Sequence, residues 1–472
     1  MQLLAITRKD FSTVMIDQQG VLFQDQFKKT IEACFSDEKL STDGGSILLK
    51  AADRHLGLIG AMSATLSDSR MPGKVEHSLT DLMAQRIYSI ALGYPDGNDA
   101  ARLKDDGMLK LLCDCDPGAA STLGSQPTIS RFENALDARS LLRLGQAYAR
   151  SVLRYQHQQR RGIRRPRRII IDLDPTCDPT HGRQQMTLFN GYYDMWCYLP
   201  VVLTVSFDGE LRKYPLAALL RPGNASAMVG VPGLLRRALR SIREFFPHTK
   251  LAFRADAAYA VPGLLDWLEA EGIRYAISLS SNSKLKNMVQ PAMARVRAAV
   301  ERTGSTKREY GLWLHRAGTW KTARFVSFKA EVVAEMGDIR DNARFVVHQL
   351  PMNVGAEGAF DFYYGHSDME NTLKSLKDDL SMDRTSCCSF LANQFRIIMT
   401  LAAYALMMTV SEHAASKEMQ RATMGTLRIR LFKIAVRIKN SVRRVLLEFT
   451  GHFPWAEDWM SCALAIGAVP KG

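Results

Sequence analysis

Apolar and polar residues alternate with two different periods along this chain. Between residues 78 and 158, apolar positions recur every three or four residues, which is the period of one face of a helix. Ser78 opens the first of these stretches and Gly93 closes it, as residues of these types do at helix ends. The pattern therefore predicts a mainly helical region.

Short apolar runs, typical of strands, dominate the next part of the chain. From residue 167 they alternate with helical segments in the order strand, strand, strand, helix, strand, helix, strand. This order predicts an α/β domain built on a mixed sheet. Residues 283–357 instead alternate apolar with polar residues, as half-exposed strands do, and we predict a β-rich insertion there.

One apolar run raises the question of a membrane. The run IIMTLAAYALMMTV covers residues 397–410 and is shorter than the roughly 18 residues that a membrane span needs. The N-terminus has neither a sustained apolar core nor a cleavage-site pattern. We therefore expect a buried helix, no membrane association and a cytoplasmic protein.

Positive charge points to a polyanionic partner. Lys and Arg number 62 against 48 Asp and Glu, and the formal net charge is +14. Seven arginines and no acidic residue lie between Arg154 and Arg168. This stretch is either a solvated spacer or a linker that contacts DNA phosphates, and we favour the second interpretation. The arginines that we predict to make these contacts are Arg160, Arg161, Arg164 and Arg165.

A turn and a short helix precede this basic linker. The segment GSQPTISRFENAL predicts a helix with Thr128 as its cap and Arg131 on its polar face. Two helices joined by a turn containing Gly match the helix-turn-helix outline, although an ordinary helical hairpin fits equally well. The adjacent positive charge favours a DNA-binding region in which Arg131 contacts DNA. The eight cysteines include no Cys-x-x-Cys pair, so a zinc finger is not expected.

Carboxylates stand at the ends of two predicted strands and on one predicted helix. Asp172 and Asp174 share one face of the strand IIIDLD, because side chains two apart in a strand point the same way. Asp256 ends the strand LAFRAD, and Glu370 lies in DMENTLKSLK. Each acid alone fits a turn cap or an arginine partner. Together they would repel one another, and Mg²⁺ or Mn²⁺ would relieve that repulsion in a site suited to phosphodiester cleavage.

A family resemblance is carried by five motifs: LDPTCDPTHGRQ, FNGYYDMWCYLPV, ALLRPGN, FRADAAY and YYGHSDMENTLKSLK. In order and spacing they resemble the DDE transposases of bacterial insertion sequences, within the superfamily that has a Tyr-Arg-Glu-Lys signature. More narrowly, they resemble the thirteen-eighty group. The resemblance covers about residues 40 to 450 and implies an RNase H-like catalytic core. Such a core would cut DNA at the transposon ends with metal-activated water and join the freed 3′-hydroxyl to target DNA.

The same resemblance assigns the catalytic and metal-binding roles. It makes Asp174, Asp256 and Glu370 the catalytic acids and the ligands of Mg²⁺ or Mn²⁺. Asp172 is then either an alternative metal ligand or a residue that contacts the ligands without binding the metal itself.

Further DNA contacts follow from the signature. Tyr363 and Lys377 lie at the expected spacing around the glutamate, and Lys377 would hold a phosphate. His366 stands where the signature has arginine and lacks the guanidinium fork that grips phosphate. Trp320 or Trp313 is a candidate to stack on a flipped base, although a tryptophan of the core fits the same positions.

The domain prediction combines the pattern with the resemblance. Its parts are an N-terminal α/β segment (1–75), a helical DNA-binding region (76–160), an RNase H-like catalytic domain (165–282 and 358–450), the β-rich insertion (283–357) and a C-terminal tail (451–472). The implied partners are double-stranded DNA, both terminal inverted repeats and target, and a second copy of the chain in a homodimer. The implied location is the bacterial cytoplasm, on the nucleoid when DNA is bound.

Two other functions fit the same residues. One is a helix-turn-helix DNA-binding protein derived from a transposase and catalytically inactive. The other is an RNase H-like nuclease that cuts DNA without strand transfer.

Overall fold

A large mixed sheet with helices packed around it organises the chain. The computed structural model describes residues 21–26, 29–33, 40–162, 165–335 and 338–470. Across these residues the predicted mixed α/β class is confirmed. Residues 1–20 of the predicted N-terminal segment lie outside the described part.

The N-terminal part is a hairpin followed by helices. Strands β1 (Val21–Gln26) and β2 (Lys29–Ala33) pair antiparallel, and β3 (Leu40–Ser41) follows them. The helices are α1 (Ile47–Leu56), α2 (Leu58–Ser63), α3 (Leu79–Ala91), α4 (Ala100–Leu103), α5 (Gly107–Leu112), α6 (Gln126–Asn134) and α7 (Ala138–Gln159).

Helix starts in this region show how local sequence sets the boundaries. The Ser78 hydroxyl accepts the Asp81 N–H at 3.1 Å, and the Asp81 carboxylate accepts the Ser78 N–H at 2.9 Å, so α3 begins where predicted. The expected cap at Thr128 is wrong. Pro127 stands in the first turn of α6, where its missing N–H has no cost, and Ser125 takes the N-cap position.

The middle of the chain supplies most of the strands. They are β4 (Arg168–Pro175), β5 (Asp178–Pro179), β6 (Leu188–Asn190), β7 (Met195–Tyr198), β8 (Val201–Phe207), β9 (Tyr214–Leu219), β10 (Lys250–Ala255), β11 (Arg274–Leu279), β12 (Lys307–His315), β13 (Arg324–Glu335) and β14 (Asp338–His348). The helices between them are α8 (Val231–Phe245), α9 (Pro262–Ala270) and α10 (Ser283–Thr303).

Strand β4 lies inside the main sheet, whose order is β12-β13-β14-β11-β10-β4-β8-β9. It pairs parallel with β10 on one side and antiparallel with β8 on the other. The apolar runs of β4 and β8 are buried, as in strands that are covered on both faces. Both β4 and β10 end at the same edge of the sheet, so this edge is where residues beyond their carboxyl ends meet.

The interval 283–357 differs from its predicted β-rich character. Its first part is α10, whose buried residues recur at three- and four-residue spacing from Leu285 to Val300. The strands that follow do not form a separate sheet. They extend the main sheet, because β14 pairs antiparallel with β11, and β13 and β12 follow outward.

The C-terminal part closes the fold. Its elements are α11 (Gly355–Tyr364), α12 (Asp368–Lys374), α13 (Phe390–Glu412), α14 (Lys417–Gln420), α15 (Met424–Leu427), β15 (Val436–Ser441), β16 (Arg444–Phe449) and α16 (Ala456–Ala465). Strand β15 pairs with both β16 and β3, which ties the two ends of the described chain together. The predicted C-terminal tail contains α16.

Helix α13 is the buried helix that the apolar run predicts. By length and composition it could span a membrane, but 89% of its apolar window is buried inside the protein. It packs against α3 and α7 as well as β9. Residues of the helical region and of the sheet therefore share one continuous core, from Leu82 and Val152 to Val202 and Phe395.

Candidate active site

Two neighbouring strands place charged residues in matching positions. Asp172 of β4 lies opposite Arg254 of β10 in the parallel register. Two residues further along each strand come Asp174 and Asp256, at the edge where both strands end. Because side chains two apart share a face, the pair Asp172–Arg254 lies directly behind the pair Asp174–Asp256.

Asp172 is the centre of a buried ionic network. Its Oδ1 accepts hydrogen bonds from Arg254 Nε at 2.7 Å and from His366 Nδ1 at 3.1 Å. Its Oδ2 accepts from Arg254 Nη2 at 2.9 Å and from Lys213 Nζ at 3.0 Å. The Asp172 side chain is fully buried, with 0% exposure. Burial alone would raise the pKa of Asp172, but the hydrogen bonds from His366 and Arg254 and the charges of Arg254 and Lys213 lower it.

The network also holds the segment that carries Glu370. Arg254 Nη1 donates to the Phe362 carbonyl at 2.9 Å, and Lys213 Nζ donates to the Gly365 carbonyl at 3.1 Å. These carbonyls lie at the end of α11 and in the turn before α12, and His366 belongs to the same turn. Glu370 follows in the first turn of α12, so the network fixes the backbone from which Glu370 projects.

The three acids next to the network, Asp174, Asp256 and Glu370, differ in burial, and their charges act on one another. The pKa of Asp174 is raised to about 7, mainly by burial; the charge of His366 lowers it, and the charges of Asp256, Glu370 and Asp172 add to the increase. Burial also raises the pKa of Asp256, although the Ala258 N–H donates to its Oδ1 at 3.0 Å. Asp174 and Asp256 are partly buried, whereas Glu370 is exposed. The three carboxylates are therefore close enough for the charges of Asp256 and Glu370 to act on Asp174.

Comparison with known proteins decides the family of this chain. The model of the family described as transposase DDE domain, group 1, matches residues 23–470. The chain belongs to this transposase family. No protein of curated function has a significantly similar sequence. A solved structure with a significant match is a piggyBac transposase in a synaptic complex with hairpin DNA, with 10% identity, a TM-score of 0.38, and coverage of 84% of this chain and 83% of that chain.

The acids of this transposase suit a hard divalent cation by chemistry. Asp174, Asp256 and Glu370 offer carboxylate oxygens, which Mg²⁺ and Mn²⁺ prefer, and a cation would favour the ionised form of Asp174, which burial and the neighbouring acids disfavour. In the part of the chain that the structure describes, however, no three acidic, His or Cys side chains are close enough together to hold a metal ion. The match between these residues and Mg²⁺ or Mn²⁺ therefore depends on the carboxylate oxygens that they offer and on their negative charge.

The residues that the sequence resemblance adds to the three acids are Lys377, Tyr363 and His366. Lys377 is partly buried and donates from Nζ to the Cys177 carbonyl at 2.9 Å, three residues beyond Asp174. Burial raises the pKa of Tyr363, and the charges of Asp256 and Asp174 raise it further, so the phenol lies near them. His366 is buried, and its Nδ1 lies 3.1 Å from Asp172 Oδ1.

The arginines predicted to contact DNA fall into two groups. Arg131, Arg161 and Arg165 are exposed, and Arg164 lies outside the described residues. Arg160 is engaged within the protein: its Nη2 donates to Glu210 at 2.9 Å, and its guanidinium lies 4.2 Å from the centre of the Phe207 ring. The linker is also shorter than expected, because α7 continues to Gln159.

Of the two candidate base-stacking tryptophans, Trp320 is buried and Trp313 is partly buried. Trp320 is 4% exposed and lies under the Arg324 guanidinium, and Trp313 stacks on Phe328 with ring centres 4.4 Å apart. Packing covers Trp320 in this structure, so stacking of Trp320 on a flipped base, which stays a prediction, would require its neighbours to move.

Two residues of the network were missed by the sequence analysis. Arg254 stood in the quoted motif FRADAAY, and its spacing to Asp256 equals that of Asp172 to Asp174. That shared spacing was a usable signal for a charge pair across the two strands. Lys213 offered none, because its contact with Asp172 bridges 41 residues and follows no periodicity.

We predict that Asp172→Asn destabilises the protein by about 3–5 kcal/mol. The substitution leaves Arg254 and Lys213 buried without their anionic partner. Urea unfolding measures the change. Asp68→Asn is the matched control, because the Asp68–Arg70 pair is at the surface and should contribute about 0–1 kcal/mol. Equal effects of the two substitutions would contradict the network's role.

We predict that Asp174→Asn stabilises the protein more at pH 8 than at pH 5 when EDTA removes divalent cations. An acid whose pKa rises on folding from 3.8 to about 7 is protonated in the folded protein and ionised in the unfolded chain between those values. Stability is therefore lost as pH rises towards 7, by up to about 4 kcal/mol, and the substitution removes that loss.

Thermal unfolding at the two pH values measures this difference. Glu357→Gln, at an exposed acid of α11, is the control and should alter neither value. A gain for Asp174→Asn that is the same at pH 5 and pH 8 would show that repulsion and burial do not act on this carboxylate.

Proposed function

We propose that this chain is a metal-dependent DNA transposase of a bacterial insertion sequence, within the thirteen-eighty group. It would cut at the ends of the element and transfer the freed strands into target DNA. The observation that carries the proposal is that Asp174 and Asp256 end adjacent parallel strands, with Glu370 close enough for its charge to act on Asp174. Membership of the transposase DDE family supports the same reaction class.

An RNase H-like core is part of this proposal. In the main sheet, β4 pairs antiparallel with β8, β8 with β9, and β4 parallel with β10, which in turn pairs parallel with β11. This order, with acids at the carboxyl ends of the first and fourth of these five strands, supports such a core. The proposal includes the predicted domain boundaries. The helical region before residue 160 and the sheet after it share one hydrophobic core.

Asp174, Asp256 and Glu370 would hold Mg²⁺ or Mn²⁺ between them. The bound cation would activate the attacking oxygen and stabilise charge on the leaving oxygen. The carboxylates would orient the scissile phosphate against the sheet edge, and the rigid backbone behind them would limit the motion that misaligns such a reaction. Lys377, on the Cys177 side of the site, would bind a phosphate oxygen next to the cut.

The proposed partners are terminal inverted repeats and target DNA, bound by a homodimer. The formal net charge of +14 supports a polyanionic partner. Arg131 of α6 and Arg161 and Arg165 of the linker are exposed and free to reach a DNA backbone. Such a protein would act in the bacterial cytoplasm and lie on the nucleoid when bound.

A second candidate is a DNA-binding protein of transposase origin that no longer cuts. Two observations favour considering it. The described residues contain no ready-made metal cluster, and His366 occupies the arginine position of the signature while binding Asp172. A nuclease without strand transfer is distinguished from the transposase only by the joining step.

Cleavage of DNA that carries the element's ends tests the proposal. The wild type and Glu357→Gln should cut it in Mg²⁺ and not in EDTA. Asp256→Asn should bind the same DNA but cut at least about 100-fold more slowly, because a charge-stabilising group is lost. Joined products with pre-cut ends and circular target DNA would separate the transposase from a plain nuclease. Binding without metal-dependent cutting by the wild type would favour the inactive DNA binder.

A further inference from the structure

The hairpin formed by β6 and β7, residues 188–198, carries an exposed aromatic surface. Tyr192 is 89% exposed, Trp196 56% and Phe189 48%. We refer to this segment as the aromatic hairpin. Large apolar side chains grouped at a surface indicate an interaction site, because water contact with them is unfavourable. No part of the proposed mechanism uses them.

Hydrogen bonds, ring contacts and strand pairing fix the conformation of the aromatic hairpin. Asn190 Oδ1 accepts the N–H of Tyr192 at 2.9 Å, and Asn190 Nδ2 donates to the Gly223 carbonyl at 2.7 Å. The Phe189 and Trp196 rings meet edge to face with centres 6.2 Å apart. Strand β7 also pairs with β5. The exposed rings are therefore held in place before any partner arrives.

Its position is beside the catalytic acids. Strand β5, which pairs with β7, follows Asp174 by only four residues, and Cys177 Sγ contacts Met195 Sδ at 3.7 Å. Burial raises the pKa of Tyr193, and the charges of Asp174 and Asp256 are among the further causes. The Lys377 ammonium group binds the Cys177 carbonyl on the same side. These contacts place the aromatic hairpin on the side of the site where Lys377 binds the Cys177 carbonyl.

The exposed aromatic rings of the hairpin are suited to binding unpaired nucleobases. Every nucleobase has an apolar face that stacks on an aromatic ring, and such stacking needs unpaired or splayed bases rather than an intact duplex. Cutting and joining at strand ends exposes bases of this kind. Of the alternatives for this task, Trp320 is buried, and Trp313 is partly buried and stacks on Phe328. Arg183, exposed in the loop before β6, adds a cation for the neighbouring phosphates.

We propose that the aromatic hairpin is a stacking platform for unpaired bases of the DNA strand that is held at Asp174 and Asp256. Tyr192 and Trp196 provide the exposed faces, and Phe189 supports Trp196. This inference rests on the proposed function, since it requires that DNA reaches the acids. It adds a surface that distinguishes open strand ends from duplex DNA.

Binding measurements on the full chain test the platform. All variants carry Asp256→Asn, so that DNA is bound and not cut. The probes are a fluorescein-labelled oligodeoxythymidine of about 16 nucleotides and a duplex of the same length. The alanine variant is Tyr192→Ala with Trp196→Ala, and the rescue variant is Tyr192→Phe with Trp196→Phe. Val442→Ala, at a fully exposed apolar residue at the turn of the β15–β16 hairpin, is the control.

The alanine variant should bind the single strand about 5- to 150-fold more weakly, and the duplex within about twofold of the parent protein. The rescue variant and the control should bind both probes like the parent. A 2-aminopurine base in the single strand should be quenched by the parent and not by the alanine variant. Thermal unfolding should be the same for all of them, because the changed residues are exposed.

Three results would overturn the platform. They are unchanged single-strand binding by the alanine variant, an equal loss for both probes, and a loss by the rescue variant as large as that of the alanine variant. A change of mass in sedimentation without a change in DNA binding would instead make the hairpin a protein interface, and would also overturn it. If the parent protein binds neither probe, the proposed function fails together with the platform. If the wild type cuts end DNA while the alanine variant binds the single strand as tightly as the parent does, only the platform fails.

Discussion

The ion pair between Asp172 and Arg254, joined by Lys213 and His366, is the interaction on which the site depends. Taking these groups out of water is costly, and a buried ion pair is often no more stabilising than an apolar replacement. Its contribution here is geometric. It connects β4, β10, the segment before β9 and the turn before α12 at one buried carboxylate. The strand ends that carry Asp174 and Asp256 are thereby fixed relative to the turn that leads to Glu370.

The acids in front of this network have the opposite electrostatic character. Asp172 is surrounded by cationic groups and hydrogen-bond donors that keep its pKa low, whereas burial, with a smaller contribution from neighbouring acids, raises the pKa of Asp174 to about 7. The two carboxylates are only two residues apart on one strand face. Asp172 is therefore ionised and bound within the protein, whereas burial and neighbouring charges disfavour the ionised form of Asp174.

Strand and helix patterns were predictable because they depend on local periodicity. The alternation of β4, β8, β9, α8, β10, α9 and β11, the burial of α13 and the cap at Ser78 all follow from residues that are close in sequence, whereas the small sheet of β5, β6 and β7 was not predicted. Helix α10 was missed because the alternation of the later strands was extended back over a stretch whose apolar residues have helical spacing. Its Pro291 also weakened the helical pattern.

The details of the site depend on contacts between distant residues. The acids could be selected from their places at strand ends and from the family resemblance, but nothing local indicates that His366 turns inward to Asp172. The same holds for Trp320, whose burial depends on Arg324 and the neighbouring strands. Burial of a charged or aromatic side chain is a property of the assembled fold. Sequence spacing could therefore identify residues of the site but not whether each side chain points into the protein or towards its surface.

The most direct test of the central claim is a crystal structure of the protein soaked in Mn²⁺, with anomalous diffraction measured at the manganese edge. If the Asp172 network aligns the three acids for cation binding, an anomalous peak should lie among the carboxylates of Asp174, Asp256 and Glu370. The Asp172–Arg254 pair should be intact behind it. A peak elsewhere, or none at saturating Mn²⁺ with the three side chains turned apart, would contradict the account.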